Sequence, residues 1–161
     1  MRKLFGTDGI RGIAGQFPLD RTTVYAIGLA LAHSLRKQTP ETHVLLGMDT
    51  RESGTWIAAT LAHGLREGDV DVTSAGVIPT PGVAYLARAR GFSAGIVLSA
   101  SHNPWEDNGI KVFGGDGYKL ADAVELAIEH EIFEKLQQIQ EPDPTAAHVP
   151  ATDSSLPAAY I

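Results

Sequence analysis

The most distinctive polar residues of the chain come directly after a short apolar segment, and one of them is suited to covalent chemistry. Gly95-Ile96-Val97-Leu98 predicts a buried strand, and Ser99 to Pro104 follow it. In an α/β sheet, this position holds a hydroxyl at the edge where ligands bind. Serine is a weak nucleophile unless a base, an electrophile or local charge activates it. Ser101 is therefore a candidate nucleophile, although serine, asparagine and proline also build turns for backbone reasons alone.

The residues next to Ser101 do not supply an obvious hydrolytic pair. Side chains of adjacent residues in extended backbone point in opposite directions, so His102 is poorly placed to act as a base for Ser101. The other histidines show no metal-ligand spacing, and the chain has no cysteine, which excludes thiolate metal sites and cysteine nucleophiles. Neither standard nucleotide-binding glycine loop occurs, which argues against a kinase or a dehydrogenase.

Three basic residues accompany the candidate nucleophile. Arg11 and Arg51 each lie in a glycine-containing segment, and Lys111 lies beside a short predicted strand. Each has a structural explanation when taken alone: a solvated arginine, an ion pair between Arg51 and a carboxylate, and an edge lysine. Together they predict phosphate chemistry, because a phosphoserine brings ~ -1.5 to -2 charges and needs cations or a divalent ion beside nearby aspartates.

The elements that must position these residues alternate between strands and helices. The predicted strands span residues 44–46, 70–75, 95–98 and 110–113, and the predicted helices span 20–37, 53–68, 82–90 and 120–137. Asp20 and Ser53 are expected to cap the first two helices. This order predicts a three-layer α/β/α domain with a mixed, mainly parallel sheet of four strands. The segments 6–12, 47–54 and 99–109 are then expected at the carboxyl ends of strands, where ligands bind.

Composition limits the partners and the location of the chain. The 161 residues are 43% hydrophobic and 20% charged, as in one globular domain of ordinary size. A formal net charge of -6 opposes general binding to nucleic acid or to an anionic membrane surface. The start of the chain lacks the apolar stretch of a secretory signal, and no apolar run approaches the ~20 residues of a membrane span. We therefore expect a cytoplasmic protein without nucleic-acid or membrane partners.

The last part of the chain differs in composition from the rest. Residues 137–161 contain no lysine or arginine, and they hold four of the chain's nine prolines, namely Pro142, Pro144, Pro150 and Pro157. This composition predicts a domain over residues 1–137 and a proline-rich linker over 138–161 that leads to a missing second domain. A domain removed from its neighbours exposes apolar surface, so self-association of the isolated chain is expected.

Five short motifs together resemble the first domain of the α-D-phosphohexomutase family. In chain order they are Phe5-Gly6-Thr7-Asp8-Gly9-Ile10-Arg11-Gly12, Gly47-Met48-Asp49-Thr50-Arg51, Pro79-Thr80-Pro81, Ser99 to Pro104, and Asn108-Gly109-Ile110-Lys111. The resemblance extends over about residues 3–136. It implies a phosphohexomutase, an enzyme of the isomerase class that moves a phosphoryl group between two positions of one sugar.

The resemblance also implies a role for each matching residue. Ser101 would carry the phosphoryl group and donate it to a sugar monophosphate, whereas Ser99 matches a non-catalytic position. Arg11 and Lys111 would stabilise the transferred charge or assist proton transfer, and His102 would orient the site. The residues expected to contact the substrate or its phosphate are Thr7, Asp8, Gly9, Arg51 and Asn103.

The implied cofactor and substrate involve parts of the family's proteins that this sequence lacks. The resemblance implies Mg²⁺ bound by the phosphoserine and by an Asp-x-Asp-x-Asp loop of a second domain, and no such loop occurs here. The Gly6-to-Gly12 motif favours a hexosamine phosphate, with its 1,6-bisphosphate as intermediate and activator, over mannose or glucose phosphates. A non-catalytic module that binds a phosphosugar or a protein partner is a further alternative. The isolated chain is expected to be inactive.

Overall fold

Six strands form one mixed sheet in the computed structural model, which describes residues 4–160. They are β1 (Phe5–Gly6), β2 (Gly9–Ile13), β3 (His43–Met48), β4 (Asp71–Val77), β5 (Ala94–Leu98) and β6 (Asp107–Gly114). Their order is β1-β2-β6-β5-β3-β4; β3 pairs in parallel with β4 and β5, and the other pairings are antiparallel. The mixed, mainly parallel sheet is confirmed because β2 to β5 run in one direction, whereas the predicted number of four strands is wrong.

The segment predicted as a loop over residues 6–12 is instead a β-hairpin. Strands β1 and β2 pair through Gly6 and Gly9, and only Thr7 and Asp8 lie between them. Gly9 has a φ of +86°, and a Cβ at this position would lie 2.3 Å from the carbonyl oxygen of Ile110, so both the backbone conformation and the close approach require glycine. The repeated glycines weaken the strand signal in the sequence, which explains the wrong prediction.

Helices cover both faces of the sheet. One layer contains α1 (Arg21–Arg36), α2 (Ser53–Glu67) and α4 (Asp122–Gln138), and the other contains α3 (Thr80–Ala89) and α5 (Ser155–Tyr160). Neighbouring strand residues alternate between the two layers: Leu46 packs in the α1 and α2 core, and Leu45 packs in the α3 core. No helix within residues 4–160 combines the length and the apolar character needed to cross a membrane.

The two predicted helix caps have different outcomes. The side chain of Asp20 accepts a hydrogen bond from the backbone N–H of Thr23 at 3.2 Å, so this cap is confirmed. The prediction for Ser53 is wrong, because Glu52 occupies the cap position and makes no side-chain capping bond. The hydroxyl of Ser53 instead accepts a hydrogen bond from Nδ2 of Asn108 at 2.9 Å, which ties the start of α2 to β6.

The proline-rich segment packs against the domain over part of its length. The backbone N–H of Ser74 in β4 donates to the carbonyl of Ala151 at 3.0 Å, and the N–H of Asp153 donates to the carbonyl of Ser74 at 2.9 Å. Leu156 in α5 is 3% exposed and belongs to the α3 core. Residues around 151–156 therefore extend this face of the domain, and the boundary at 137/138 stays a prediction.

Candidate functional site

Ser101 lies three residues beyond the end of β5, in a conformation that is uncommon for serine. Its φ of 55° is in the left-handed region, which non-glycine residues seldom adopt and which is found most often at functional sites. Its backbone N–H donates to the hydroxyl of Ser99 at 3.1 Å, and the N–H of Ser99 donates to the carbonyl of Gly109 at 3.0 Å. Ser99 is 8% exposed and supports the backbone, whereas the side chain of Ser101 reaches solvent.

Arg11 brings a positive charge directly to the candidate nucleophile. Its Nη2 donates to Oγ of Ser101 at 3.1 Å and lies 3.8 Å from a carboxylate oxygen of Asp8. Arg11 pairs opposite Gly109 across β2 and β6, and a Cβ on Gly109 would lie 3.0 Å from Cγ of Arg11. The glycine thus leaves room for the arginine to cross β6 toward the serine. A guanidinium at this oxygen is suited to binding a phosphoryl group held by Ser101.

Arg51 contacts the serine loop through the backbone. Its Nη2 donates to the carbonyl of Ser101 at 2.9 Å, and its Nη1 donates to the carbonyls of Pro104 at 2.5 Å and Asp107 at 3.2 Å. Its Nε donates to Oδ2 of Asp49 at 3.0 Å, and the arginine side chain is 10% exposed. The ion pair with a carboxylate, which the sequence allowed as a structural explanation, is therefore present.

The two residues that follow Ser101 differ in their surroundings. Asn103 donates from Nδ2 to Oδ2 of Asp107 at 3.2 Å, and its backbone N–H donates to the carbonyl of Ala100 at 3.0 Å, as in a closed turn. His102 is exposed, and its ring makes no hydrogen bond or ion pair with any residue between 4 and 160. Within the described chain, nothing orients His102 as a base toward Ser101.

The remaining predicted site residues lie around a second cavity. Thr7, Asp8, Gly9 and Lys111 line a cavity of about 200 Å³, together with Lys119 and other residues. Ser101 and Asn103 instead border a wider cavity of about 730 Å³, which Asp49, Arg51 and Trp105 also line. Within residues 4–160, Arg11 and Arg51 contact the serine loop. Lys111 lines the smaller cavity together with Asp8, whose carboxylate lies 3.8 Å from Arg11.

Sequence analysis did not assign a site role to two polar residues that shape this region. Asn108 is fully buried; its Oδ1 accepts from the N–H of Gly109 at 2.8 Å, while its Nδ2 binds Ser53. Asp49 accepts from the side chain of Arg51 and also from its backbone N–H at 3.1 Å. Both residues fall in motifs that carried the family resemblance. Each lies next to one end of an apolar strand segment, and this position was the signal in the sequence that could have identified them.

The described residues do not form a magnesium site by themselves. No group of three or more metal-ligating side chains occurs within residues 4–160. Near the serine, Asp49 pairs with Arg51, Asp107 accepts from Asn103, and Asp8 lies beside Arg11. Magnesium prefers several oxygen ligands in octahedral geometry. Within residues 4–160, these carboxylates therefore provide no three-ligand set for such an ion.

A known protein family contains a domain with this fold and these loops. The model of the phosphoglucomutase/phosphomannomutase α/β/α domain I matches residues 2–139. The chain belongs to this family. The resemblance predicted from the five motifs is thereby confirmed, and the family's domain corresponds to nearly all of the α/β/α fold described above.

The curated relatives of this family domain carry a more specific name. Phosphoglucosamine mutase from Koribacter versatilis is 60% identical over 140 residues, which cover 87% of this chain and 30% of that protein. Phosphoglucosamine mutase from Solibacter usitatus is 55% identical over 148 residues, which cover 92% of this chain and 33% of that protein. The chain thus spans about a third of the length of these relatives.

A solved structure supports the fold independently. A phosphoglucomutase/phosphomannomutase family protein from Burkholderia thailandensis superimposes with a TM-score of 0.71 at 26% sequence identity. The match covers 93% of this chain and 32% of that protein. Both the sequence and the structural comparisons therefore match this chain to one domain of longer proteins.

Proposed function

We propose that this chain is the phosphoserine-bearing first domain of a phosphoglucosamine mutase, which interconverts glucosamine 6-phosphate and glucosamine 1-phosphate. The observation that carries the proposal is the contact between Arg11 and Oγ of Ser101, on an exposed serine held in a strained backbone conformation. Curated relatives with 55–60% identity support the choice of sugar. In this proposal residues 1–137 form the domain and residues 138–161 lead toward a second domain.

The proposed reaction has two phosphoryl transfers. In the first, a sugar hydroxyl oxygen bonds to phosphorus and loses its proton to a base, while the bond between phosphorus and Oγ of Ser101 breaks and Oγ takes up a proton. In the second, Oγ of Ser101 loses that proton and bonds to the other phosphorus of the sugar 1,6-bisphosphate. The sugar oxygen that leaves takes up a proton, which yields the isomeric monophosphate and restores the phosphoserine. Such transfers depend mainly on alignment and on stabilisation of charge. In this proposal Arg11 supplies this stabilisation at Ser101. Lys111 stabilises charge or assists proton transfer, and His102 orients the site.

Magnesium belongs to this proposal as a ligand of the phosphorylated serine. When bound, the ion would neutralise charge on the transferred phosphoryl group. Because the described residues provide no further ligand set, its other ligands would lie outside residues 4–160. The remaining proposed partner is the phosphosugar itself, which Thr7, Asp8, Gly9 and Asn103 would help to bind; a nucleic acid or a membrane has no place in the proposal.

A second candidate within the family is a phosphomannomutase or phosphoglucomutase. The family model and the solved relative from Burkholderia thailandensis carry both names, and this observation favours the candidate. Comparing kcat/KM for the phosphates of glucosamine, mannose and glucose would decide between the sugars. A preference for glucosamine phosphate of tenfold or more, about 1.4 kcal/mol, is the expected result.

A third candidate is a module that binds a phosphosugar without catalysis. The lack of a metal-ligand group within residues 4–160 favours this candidate over an autonomous enzyme. Tight phosphosugar binding without phosphate transfer to Ser101, in a protein joined to all of its natural domains, would support it. We expect the 161-residue chain alone to show no mutase activity under any of these candidates.

The test of the proposed function joins this domain to the remaining part of a longer relative in a chimera. Residues 1–140 of this chain replace the matching segment of the Koribacter versatilis enzyme, which is 60% identical over 140 residues. The chimera is expected to convert glucosamine 6-phosphate into glucosamine 1-phosphate and to carry phosphate on Ser101, which mass spectrometry detects. Ser101→Ala should lower kcat by roughly 10³-fold or more, because the nucleophile is lost.

A matched control separates chemistry from folding. Ser34→Ala makes the same substitution in α1 and should leave kcat unchanged, while circular dichroism confirms that all chimeras fold. Wild-type turnover by Ser101→Ala would show that the nucleophile assignment is wrong. A folded wild-type chimera that binds phosphosugars but neither turns them over nor becomes phosphorylated would favour the third candidate.

A further inference from the structure

We infer that Arg51 is a positioning residue that fixes the backbone of Ser101 for phosphoryl transfer, and that it does not bind the phosphate of the sugar. The inference rests on the proposed function, since it assigns a task within that reaction. It differs from the role that sequence resemblance implied for Arg51, which was contact with substrate or phosphate. Four observations carry it.

The first observation is where the donors of Arg51 point. Four of its five N–H groups are engaged: Nε with Asp49, both Nη1 hydrogens with the carbonyls of Pro104 and Asp107, and one Nη2 hydrogen with the carbonyl of Ser101. Two of these carbonyls lie within the segment that joins β5 to β6, and the third belongs to the first residue of β6. One guanidinium therefore contacts this segment at three points, and little of its donor capacity is left for a substrate phosphate.

The second observation concerns Ser101 itself. A left-handed backbone is unfavourable for a non-glycine residue, and it persists only where the surroundings determine it. The N–H of Ser101 is held by the hydroxyl of Ser99, and its carbonyl is held by Arg51. Because both of its backbone polar groups are held, the direction of the Cα–Cβ bond is fixed, which keeps the hydroxyl within reach of Arg11.

The third observation is that Arg51 is oriented in advance. Asp49 binds the side chain of Arg51 through one carboxylate oxygen and its backbone N–H through the other. The arginine is also largely buried, with 10% of its side chain exposed. A residue held at two points and shielded from solvent acts as a rigid brace.

The fourth observation is the second connection between the same two segments. Asn108 and Ser53 join the start of α2 to β6 at 2.9 Å. This bond keeps the Arg51 segment at a constant distance from the serine loop, so loss of the guanidinium alone should loosen the loop without detaching it. Lysine cannot replace the arginine, because a single ammonium group lacks the planar fork that reaches three carbonyls.

The test uses steady-state kinetics of the chimera described above. Arg51→Lys and Arg51→Ala should lower kcat by about 100-fold, the usual effect of a 1 Å misplacement, while KM for glucosamine 6-phosphate stays unchanged. Added methylguanidine should restore part of kcat to Arg51→Ala and none to Arg51→Lys. A rise in KM at constant kcat would mean that Arg51 binds the phosphate, and unchanged kinetics would mean that it does neither; both results overturn the inference.

A matched arginine provides the control. Nη1 of Arg36 also donates to backbone carbonyls, those of Pro40 at 3.4 Å and Asp69 at 3.1 Å, at the end of α1. Arg36→Lys should leave kcat and KM unchanged. If Arg51→Lys does not fold, Asp49→Asn removes the charge that orients the arginine, and it should lower kcat at constant KM by a smaller factor; unchanged kinetics for this variant would also overturn the inference.

A second readout is independent of turnover. In the 161-residue chain, hydrogen exchange at the amide of Ser101 should be faster in Arg51→Lys than in wild type, and unchanged in Arg36→Lys. An inactive wild-type chimera would refute the proposed function. The exchange experiment would still test whether Arg51 fixes the backbone of Ser101. Equal exchange rates at Ser101 in wild type and Arg51→Lys would overturn the inference even if the chimera is active.

Discussion

Within residues 4–160, Arg11 is the charged side chain that contacts Oγ of Ser101, and its removal has a predictable effect. Nη2 of Arg11 lies 3.1 Å from the hydroxyl, and a phosphate there would gain a charge-assisted hydrogen bond. Removing one preorganised donor of this kind costs about 10²–10³ in kcat. In the chimera, Arg11→Ala should lower kcat by this factor, as measured from initial rates of glucosamine 1-phosphate formation.

The same variant distinguishes the role of Arg11 from the role inferred for Arg51. Because Arg11 contacts the side chain of Ser101 and not its backbone, hydrogen exchange at the Ser101 amide should stay at its wild-type rate in Arg11→Ala. An Arg11→Ala chimera with wild-type kcat would remove the arginine from the proposed mechanism.

A carboxylate at the start of α5 gives a prediction of pH dependence. The hydroxyl and the backbone N–H of Ser155 both donate to Oδ1 of Asp153, at 2.6 and 3.0 Å, and these bonds lower the pKa of Asp153 below its ordinary value of 3.8. Since the folded pKa is depressed, the stabilisation is present above the unfolded pKa and is lost as the pH falls through the folded pKa. Ser155→Ala should raise the pKa of Asp153 toward 3.8.

Carbon-13 NMR of the side-chain carboxyl groups would follow this titration. Asp143 is the internal control, because hydrogen bonds from Thr145 lower its pKa in the same way and the Ser155→Ala substitution does not touch them. A shift of both titrations would mean that the variant perturbs more than its own hydrogen bonds. An unchanged Asp153 titration would show that Ser155 does not set its pKa.

Individual residues of the site were predictable to the extent that their position along a strand decides their neighbours. Ser101 follows a strongly apolar strand, and Arg51 had a structural explanation that the contact with Asp49 now supports. Arg11 and Lys111 differ because the hairpin geometry decides what each side chain reaches. Lys111 lies two residues beyond Gly109 on β6 and lines a cavity with Asp8, a neighbour that residue type and spacing do not specify.

The contact between α1 and α2 depends on two glycines that face each other. A Cβ on Gly64 would lie 2.4 Å from the carbonyl oxygen of Tyr25 and 3.0 Å from Cα of Gly28, both of them backbone atoms. Gly→Ala in a helix ordinarily stabilises by about 1 kcal/mol, but overpacking costs about 1–3 kcal/mol, and backbone atoms cannot move aside. Gly64→Ala should therefore reduce the free energy of unfolding, as measured by urea titration.

The control substitution lies in the same helix. At Gly54 the nearest atom to an added Cβ is Sδ of Met48 at 3.4 Å, which is an ordinary contact. Gly54→Ala should leave stability unchanged or raise it slightly through helix propensity. If Gly64→Ala were as stable as Gly54→Ala, the close approach of the two helices would not be present in solution.

At the level of elements, the apolar periodicity of the sequence predicted the helices better than the capping residues did. The four long helices were predicted within a few residues, because their apolar spacing records which face is buried. The hairpin at residues 5–13 was not, since Gly9 is required by a close approach to Ile110 of β6, which lies about a hundred residues away along the chain. The cap predicted at Ser53 is wrong for the same reason. Its hydroxyl accepts a hydrogen bond from Asn108, which is distant along the chain, and local sequence does not reveal this contact.

The surface near the serine loop carries exposed apolar side chains on a molecule with a net charge of -6. Large side chains near the serine loop are exposed, with Ile13 at 43%, Phe17 at 59% and Trp105 at 75%. The N–H of Ala14 donates to the carbonyl of Glu106 at 3.0 Å, which brings the segments that carry these side chains together. Exposed apolar surface of this kind favours association, while a net charge of -6 opposes it between identical chains.

These two forces predict how association of the isolated chain depends on salt. At 0.01 M ionic strength the repulsion extends about 30 Å, and at 0.15 M it extends about 8 Å, so the chain should associate more at higher salt. Trp105→Arg should abolish the association observed by sedimentation velocity. Tyr118→Arg makes the same change of charge at an aromatic that is 67% exposed in another part of the surface, and it should associate like wild type. A monomer at every salt concentration, or equal effects of both variants, would show that this apolar surface does not bind a second copy of the chain.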